Sequence, residues 1–150
     1  MITIQTLAQS PLFAGLTEAQ LFPFMALAEE ITCPRGRPIF EEGEHARRLF
    51  ILLSGKVNIR VQITTRPEPI SVATLDQPGQ LVGWSGFMPP NDYTATALCQ
   101  DHCRFLVFEG AAFMSLLETT PAVGFIVMRN IAEAISDRLR NVQRIVLKTL

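Results

Sequence analysis

The residues with the most chemical promise lie in one stretch, Pro78-Gly79-Gln80-Leu81-Val82-Gly83-Trp84-Ser85-Gly86-Phe87, with Tyr93-Thr94-Ala95-Thr96-Ala97 following a proline-containing turn. Glycines at 83 and 86 permit close backbone approach and unusual dihedrals, so the N–H groups of residues 84 to 87 can converge on an anion. The small side chains of Thr94, Ala95 and Thr96 leave room opposite those amides. Candidate ligand-binding residues are therefore Gly83, Trp84, Ser85, Gly86, Phe87, Tyr93, Thr94, Ala95 and Thr96. The same spacing also suits a tight turn between two strands with no ligand. No Lys or Arg occurs from residue 67 to 103, and amides without a cation compensate a dehydrated phosphate poorly. Only a distant cation such as Arg60 or Arg35 is left to fold in.

Other chemistries find less support. A metal centre needs several converging His or carboxylate ligands, and the chain has 2 histidines, His45 and His102, neither with a second His at ligand spacing. Cys99, His102 and Cys103 look like a half-site, but along a strand 99, 101 and 103 face one way and 102 the other. They are expected to be ordinary half-buried thiols. Gly83-Trp84-Ser85-Gly86 falls one residue short of a Gly-x-Ser-x-Gly nucleophile elbow and lacks its α/β context. Neither a catalytic residue nor a metal ligand is assigned. Arg35, Arg37, Arg47 and Arg48 alternate with Glu41, Glu42 and Glu44, which reads as a solvated mixed face.

Several elements must position these residues. Leu16-Thr17-Glu18-Ala19-Gln20-Leu21 carries a capping box and a staple that open a helix, which Phe22 and Met25 continue as an apolar stripe and Pro23 shortens or bends. From Ile31 short apolar runs alternate with turns. Leu49 to Leu53 is wholly apolar and closed by Ser54-Gly55, the pattern of a buried strand. Val57, Ile59, Val61 and Ile63 alternate with Lys56, Asn58, Arg60 and Gln62, the pattern of a half-buried antiparallel strand. Further strands are expected at Ile70 to Leu75, Leu81-Val82, Thr94 to Leu98 and Arg104 to Phe108. Short strands at near-regular spacing indicate a sandwich or barrel. Ala112, Phe113, Leu116 and Leu117 mark a short helix, Thr120-Pro121 a break, and a long amphipathic helix follows. Its apolar face, Met128, Ile131, Ile135, Leu139, Val142 and Val146, is expected to pack on the same helix of a second copy. Ile135→Asp would then break the dimer.

Composition narrows the function. The 150 residues suit one domain, with an N-terminal helical segment over 1–30, a roll over 31–108 and C-terminal helices over 109–150. A net charge of −1 disfavours a generic polyanion binder. There is neither a basic leader nor an apolar run of about 20 residues, and 3 cysteines make no disulfide framework. The chain reads as cytoplasmic, with no membrane insertion.

The order of three motifs completes the sequence reading: Ser10-Pro11-Leu12-Phe13-Ala14-Gly15-Leu16, then Ile39-Phe40-Glu41-Glu42-Gly43-Glu44, then Leu49-Phe50-Ile51-Leu52-Leu53-Ser54-Gly55-Lys56-Val57. Together they resemble the cyclic nucleotide-binding domains of catabolite activator proteins and protein kinase A regulatory subunits. The resemblance implies a mainly β fold with flanking α: an antiparallel β-roll of the jelly-roll type, N-terminal helices and a long C-terminal helix often used for dimerisation. Gly83 to Ala97 would be the phosphate-binding cassette. Members that hold cyclic AMP or cyclic GMP usually have a glutamate after the first cassette glycine and an arginine before the small residues. This chain has Trp84 and Tyr93 there, and Val142 and Gln143 near the expected adenine contacts. Trp84 and Tyr93 either line a pocket that stacks a planar ligand or fill it themselves. No helix-turn-helix follows the last helix, so direct DNA binding is not expected. The expectation is a non-enzymatic ligand-sensing regulatory domain without a fixed cofactor. Its ligand is a small molecule or a cyclic nucleotide, not held in the usual way, and its partners are a second copy and a further protein. The alternative is a ligand-free interaction module that kept the fold and lost the pocket.

Overall fold

The computed structural model describes residues 2–149, and of Phe87 and Thr149 only the backbone. Two short helices, α1 (Ile4–Ala8) and α2 (Glu18–Leu27), precede eight strands: β1 (Glu29–Cys33), β2 (Pro38–Phe40), β3 (Arg48–Ser54), β4 (Val57–Val61), β5 (Ile70–Leu75), β6 (Leu81–Val82), β7 (Thr96–Cys99) and β8 (Cys103–Glu109). Helices α3 (Gly110–Thr119) and α4 (Pro121–Thr149) follow. The strands form two antiparallel sheets, ordered β1-β8-β3-β6 and β2-β7-β4-β5, which face each other as a β-roll. The roll starts at Glu29, two residues ahead of the sequence expectation.

The wholly apolar runs belong to strands buried on both faces. On β3 and β8, Leu49, Ile51, Leu106 and Phe108 face the helices and pack with Phe13, Phe24, Phe113 and Val127. The alternate residues Phe50, Leu52, Phe105 and Val107 face the roll interior, against Phe40, Val57, Ile59 and Ala97 of the other sheet. Period-two geometry turns a continuous hydrophobic run into two separate cores. The polar face of β4 is more enclosed than its alternation suggests. Asn58 is buried and donates to Ser71 Oγ at 2.7 Å and Thr74 Oγ1 at 3.2 Å, while its Oδ1 accepts from Arg60 Nε at 2.6 Å.

At α2 the Thr17–Gln20 capping box forms in both directions, with Thr17 N–H donating to Gln20 Oε1 at 2.9 Å and Gln20 N–H to Thr17 Oγ1 at 3.2 Å. Pro23 lies inside a helix of 10 residues. The inward positions are Leu21 and Phe24, whereas Phe22, expected in the apolar stripe, is 55% exposed. Ser10 ties the N-terminal segment to the β5–β6 turn by donating to the Gly79 carbonyl at 2.7 Å.

Helix α4 spans 29 residues. Its first half is fixed by Val123, Val127 and Ile131, all buried in the helical core, and by Asn130, whose Nδ2 donates to the carbonyls of Leu12 and Ala14, each at 2.9 Å. Ile131 is therefore not available to a second copy, and Met128 and Ile135 pack against the same core. Ile135→Asp would damage the domain itself, so it cannot serve as a test of dimerisation. Leu139 and Val146 are the residues of the expected seam that stand out, 57% and 50% exposed. No helix among the described residues is long and apolar enough to cross a membrane.

Asn130→Ala leaves two carbonyls without their donor and should lower stability by about 1–2 kcal/mol. In urea the midpoint should fall with an unchanged slope.

Candidate functional site

Gly83 begins the site with a left-handed backbone, φ 77° and ψ 55°, from which the 3₁₀ turn Trp84–Phe87 springs. A side chain here would be strained, and its Cβ would come within 2.7 Å of the Phe40 ring. Gly86 is buried, and a Cβ there would overlap the backbone of Arg48 at the start of β3. A Cβ on Gly110, the first residue of α3, would in turn overlap the Gly86 carbonyl. The two glycines clamp the turn between β3 and α3. Gly110 also donates its N–H to the Arg47 carbonyl at 2.7 Å.

Of the sequence-derived site residues, Gly83, Trp84, Ser85, Tyr93, Thr94 and Ala95 line one small pocket with Phe40, Ile59 and Arg138. Gly86 and Thr96 do not join it. Gly86 packs on β3, and Thr96 accepts from the Glu42 N–H at 2.9 Å at a separate surface hollow beside Arg60. The Gly86 amide turns toward the Gly83 carbonyl at 3.5 Å, so it does not join a convergent set of anion donors. The side chain of Phe87 lies outside what the structure describes.

Tyr93 and Trp84 divide the roles that sequence left open. Tyr93 is buried, stacks on Phe40 with ring centroids 3.9 Å apart and planes at 11°, and donates its hydroxyl to the Arg48 carbonyl at 2.7 Å. It fills one end of the pocket, leaving about 30 Å³. Trp84 lines the pocket instead, and the Arg138 guanidinium of α4 sits over its ring at 4.9 Å. This cation–π contact supplies the charge missing from residues 67 to 103. Neither Arg60 nor Arg35 lines this pocket. The sequence reading finds no cation for this site beyond a distant Arg60 or Arg35, because nothing local in α4 distinguishes Arg138 from its other arginines. Burial depresses its pKa from the usual guanidinium value, yet it stays charged in any ordinary buffer.

A larger cavity of about 380 Å³ adjoins the small pocket, sharing Ile59, Trp84, Thr94, Ala95 and Arg138 with it. The rest of its wall is mostly aliphatic: Val61, Ile63, Ile70 and Val72 from the β4–β5 hairpin, and Val142, Ile145 and Val146 from α4. Val142 thus points at the roll. Arg66 completes the lining, on the exposed loop between β4 and β5.

The cysteines differ from expectation as well. Cys33, Cys99 and Cys103 are buried free thiols inside the roll. Burial, followed by interaction with Cys33 and Cys103, pushes the Cys99 thiol strongly upward, away from the reactive thiolate. No group of three or more His, Cys, Asp or Glu side chains suited to a metal occurs among the described residues.

Comparison with known proteins agrees with this architecture. The family profile "Cyclic nucleotide-binding domain" matches residues 30–120. A solved structure of a candidate cyclic nucleotide-binding protein from Geobacter metallireducens GS-15 superposes with a TM-score of 0.80 at 31% identity, over 93% of this chain and 99% of that one. The catabolite activator protein of Thermus thermophilus superposes with a TM-score of 0.75 at 25% identity, over 91% of this chain and 62% of that one. The cyclic AMP receptor protein of the same organism is 25% identical over 132 residues, 87% of this chain and 58% of that protein. The chain therefore spans little more than half of that curated relative.

Burial raises the Tyr93 pKa above its ordinary value. Above about pH 10 an unfolded tyrosine ionises while the native one stays neutral, so this contribution to stability is intact below the unfolded value and is lost as pH climbs past it. Tyr93 is the sole tyrosine. Phenolate absorbance should therefore appear later in the native protein than in urea, and the alkaline loss of stability should shrink in Tyr93→Phe.

Proposed function

The chain belongs to the cyclic nucleotide-binding domain family, and we propose that it is a non-enzymatic regulatory domain. Its cavity takes a small molecule other than a cyclic nucleotide held in the usual way. One observation carries this reading: Arg138 of α4 lies over Trp84 of the cassette, beside an open cavity walled by both the roll and α4. A ligand seated there touches both bodies at once. It shifts α4 by as much as its affinity differs between the two positions of the helix. The usual cyclic nucleotide contacts are missing, because Trp84 replaces the ribose-holding carboxylate and Tyr93 occupies the phosphate end.

The output surface we propose is the outer face of α4, with Leu139 57% and Leu147 71% exposed. Large aliphatic side chains at that exposure on a helix are suited to a second copy of the same helix. A competing reading, an interaction module without a ligand, is favoured by the Tyr93–Phe40 stack, since that end of the pocket is already filled.

Thermal unfolding against cyclic AMP, cyclic GMP, linear nucleotides and small organic acids separates these readings. A ligand at 100 times its dissociation constant stabilises by about 2.7 kcal/mol. The expected result is a raised midpoint with a non-nucleotide and none with cyclic AMP or cyclic GMP. A shift with either cyclic nucleotide would overturn the reading of Trp84 and Tyr93, and no shift with any compound would favour the interaction module. Leu139→Asp should turn a dimer into a monomer in solution scattering without lowering the unfolding midpoint of the monomer. A wild-type protein that is already monomeric removes the dimer proposal.

A further inference from the structure

The two cavities adjoin and share Ile59, Trp84, Thr94, Ala95 and Arg138, so they are treated as two parts of one site. Its two parts differ sharply in chemistry. The larger part is aliphatic, with a wall of valine and isoleucine from β4, β5 and α4. The inner junction holds the Arg138 guanidinium. Among the described residues Arg138 has no carboxylate within ion-pair distance and no hydrogen-bond partner, and its contact is the Trp84 face. Asp137, its neighbour on α4, is engaged by Arg140. No Asp or Glu lines either part of the site.

A partly desolvated cation without a carboxylate is costly, and an incoming anion relieves that cost. The aliphatic wall offers nothing to a sugar: ribose hydroxyls and base edges placed against Ile59, Val61, Val72 and Val142 would lose their water and gain no partner. The small inner space beside Ser85 and Thr94, about 30 Å³, suits a compact planar anion better than a bulky phosphate diester joined to a ribose. Arg66, the other cation of the lining, sits on an exposed loop where solvent screens it.

Resting on the ligand-sensor reading above, we infer that the site takes a monocarboxylate on an apolar body, such as a medium-chain acyl or aromatic acid. The carboxylate pairs with Arg138 in the planar, forked geometry that guanidinium groups favour. The apolar body lies along the β4–β5 hairpin and against Val142, Ile145 and Val146, displacing water from the cavity. Occupancy then ties the far half of α4 to the roll through the ligand itself.

Trp84 is the chain's sole tryptophan, so its fluorescence reports the site directly. The test titrates the full chain with decanoate, 3-phenylpropanoate, decan-1-ol and cyclic AMP, all below micellar concentrations, in the wild type, Arg138→Met and Arg138→Lys. Decanoate or 3-phenylpropanoate should change Trp84 emission saturably and raise the unfolding midpoint, and decan-1-ol should bind about tenfold more weakly than decanoate. Arg138→Met should weaken carboxylate binding about tenfold and leave decan-1-ol unchanged, with Arg138→Lys in between. Equal binding of decanoate and decan-1-ol, or indifference to Arg138→Met in a variant that unfolds normally, would overturn the inference. Binding of cyclic AMP in place of the carboxylates would overturn the ligand class and leave a sensor standing. Silence toward every probe, with the wider panel also negative, would remove both.

Discussion

Everything in this molecule hangs on one sheet being apolar on both of its faces. Strands β3 and β8 send alternate side chains into the helical core and into the roll, so both cores are built on the same two strands. The sheet is also the anvil on which the cassette is shaped. At the start of β3 the backbone carbonyl of Arg48 accepts the Tyr93 hydroxyl and the carbonyl of Arg47 accepts the first amide of α3. The cassette turn fits between them only because Gly86 and Gly110 have no side chains. The conformation of the site is thus a consequence of where the sheet ends.

How much of this was legible in the chain follows from which interactions are local. The Thr17–Gln20 cap, the apolar runs of β3 and β8 and the break at Thr120-Pro121 are short-range signals, and the structure has an element at each. The family motifs supplied the roll. What could not be read was which face of a periodic helix meets which neighbour. The stripe from Met128 to Val146 is one continuous pattern, yet Ile131 lies in the chain's own core, Val142 faces the site cavity and Leu139 faces outward. Helical spacing tells which residues share a face, and only the tertiary arrangement tells what covers it.

Arg138 is the sharper instance. A search for a cation confined to residues 67 to 103 finds none. The guanidinium beside Trp84 comes from an element distant in sequence, and no local pattern marks which arginine of α4 turns inward. The reverse error is seen at Thr96 and Gly86, which sit in the right sequence window while their side chain or backbone serves neighbouring strands. Proximity in sequence picks out a window, and the fold gathers only part of that window around one pocket.

Helix α4 is supported unevenly along its length. Asn130 holds it to the carbonyls of Leu12 and Ala14, and buried packing extends to Ile131. Beyond Asn130 lie 19 residues to Thr149, about 28 Å at the usual helical rise. Such a helix is a cantilever with its fulcrum at Asn130 and its load applied at Arg138 and Val142, well short of the tip. A tilt of about 5° at the fulcrum would carry the far end through roughly 2.5 Å over that length. The geometry amplifies a small displacement beside Trp84 into a movement about as large as half the pitch of a helical turn, at the end of the molecule farthest from the anchored core.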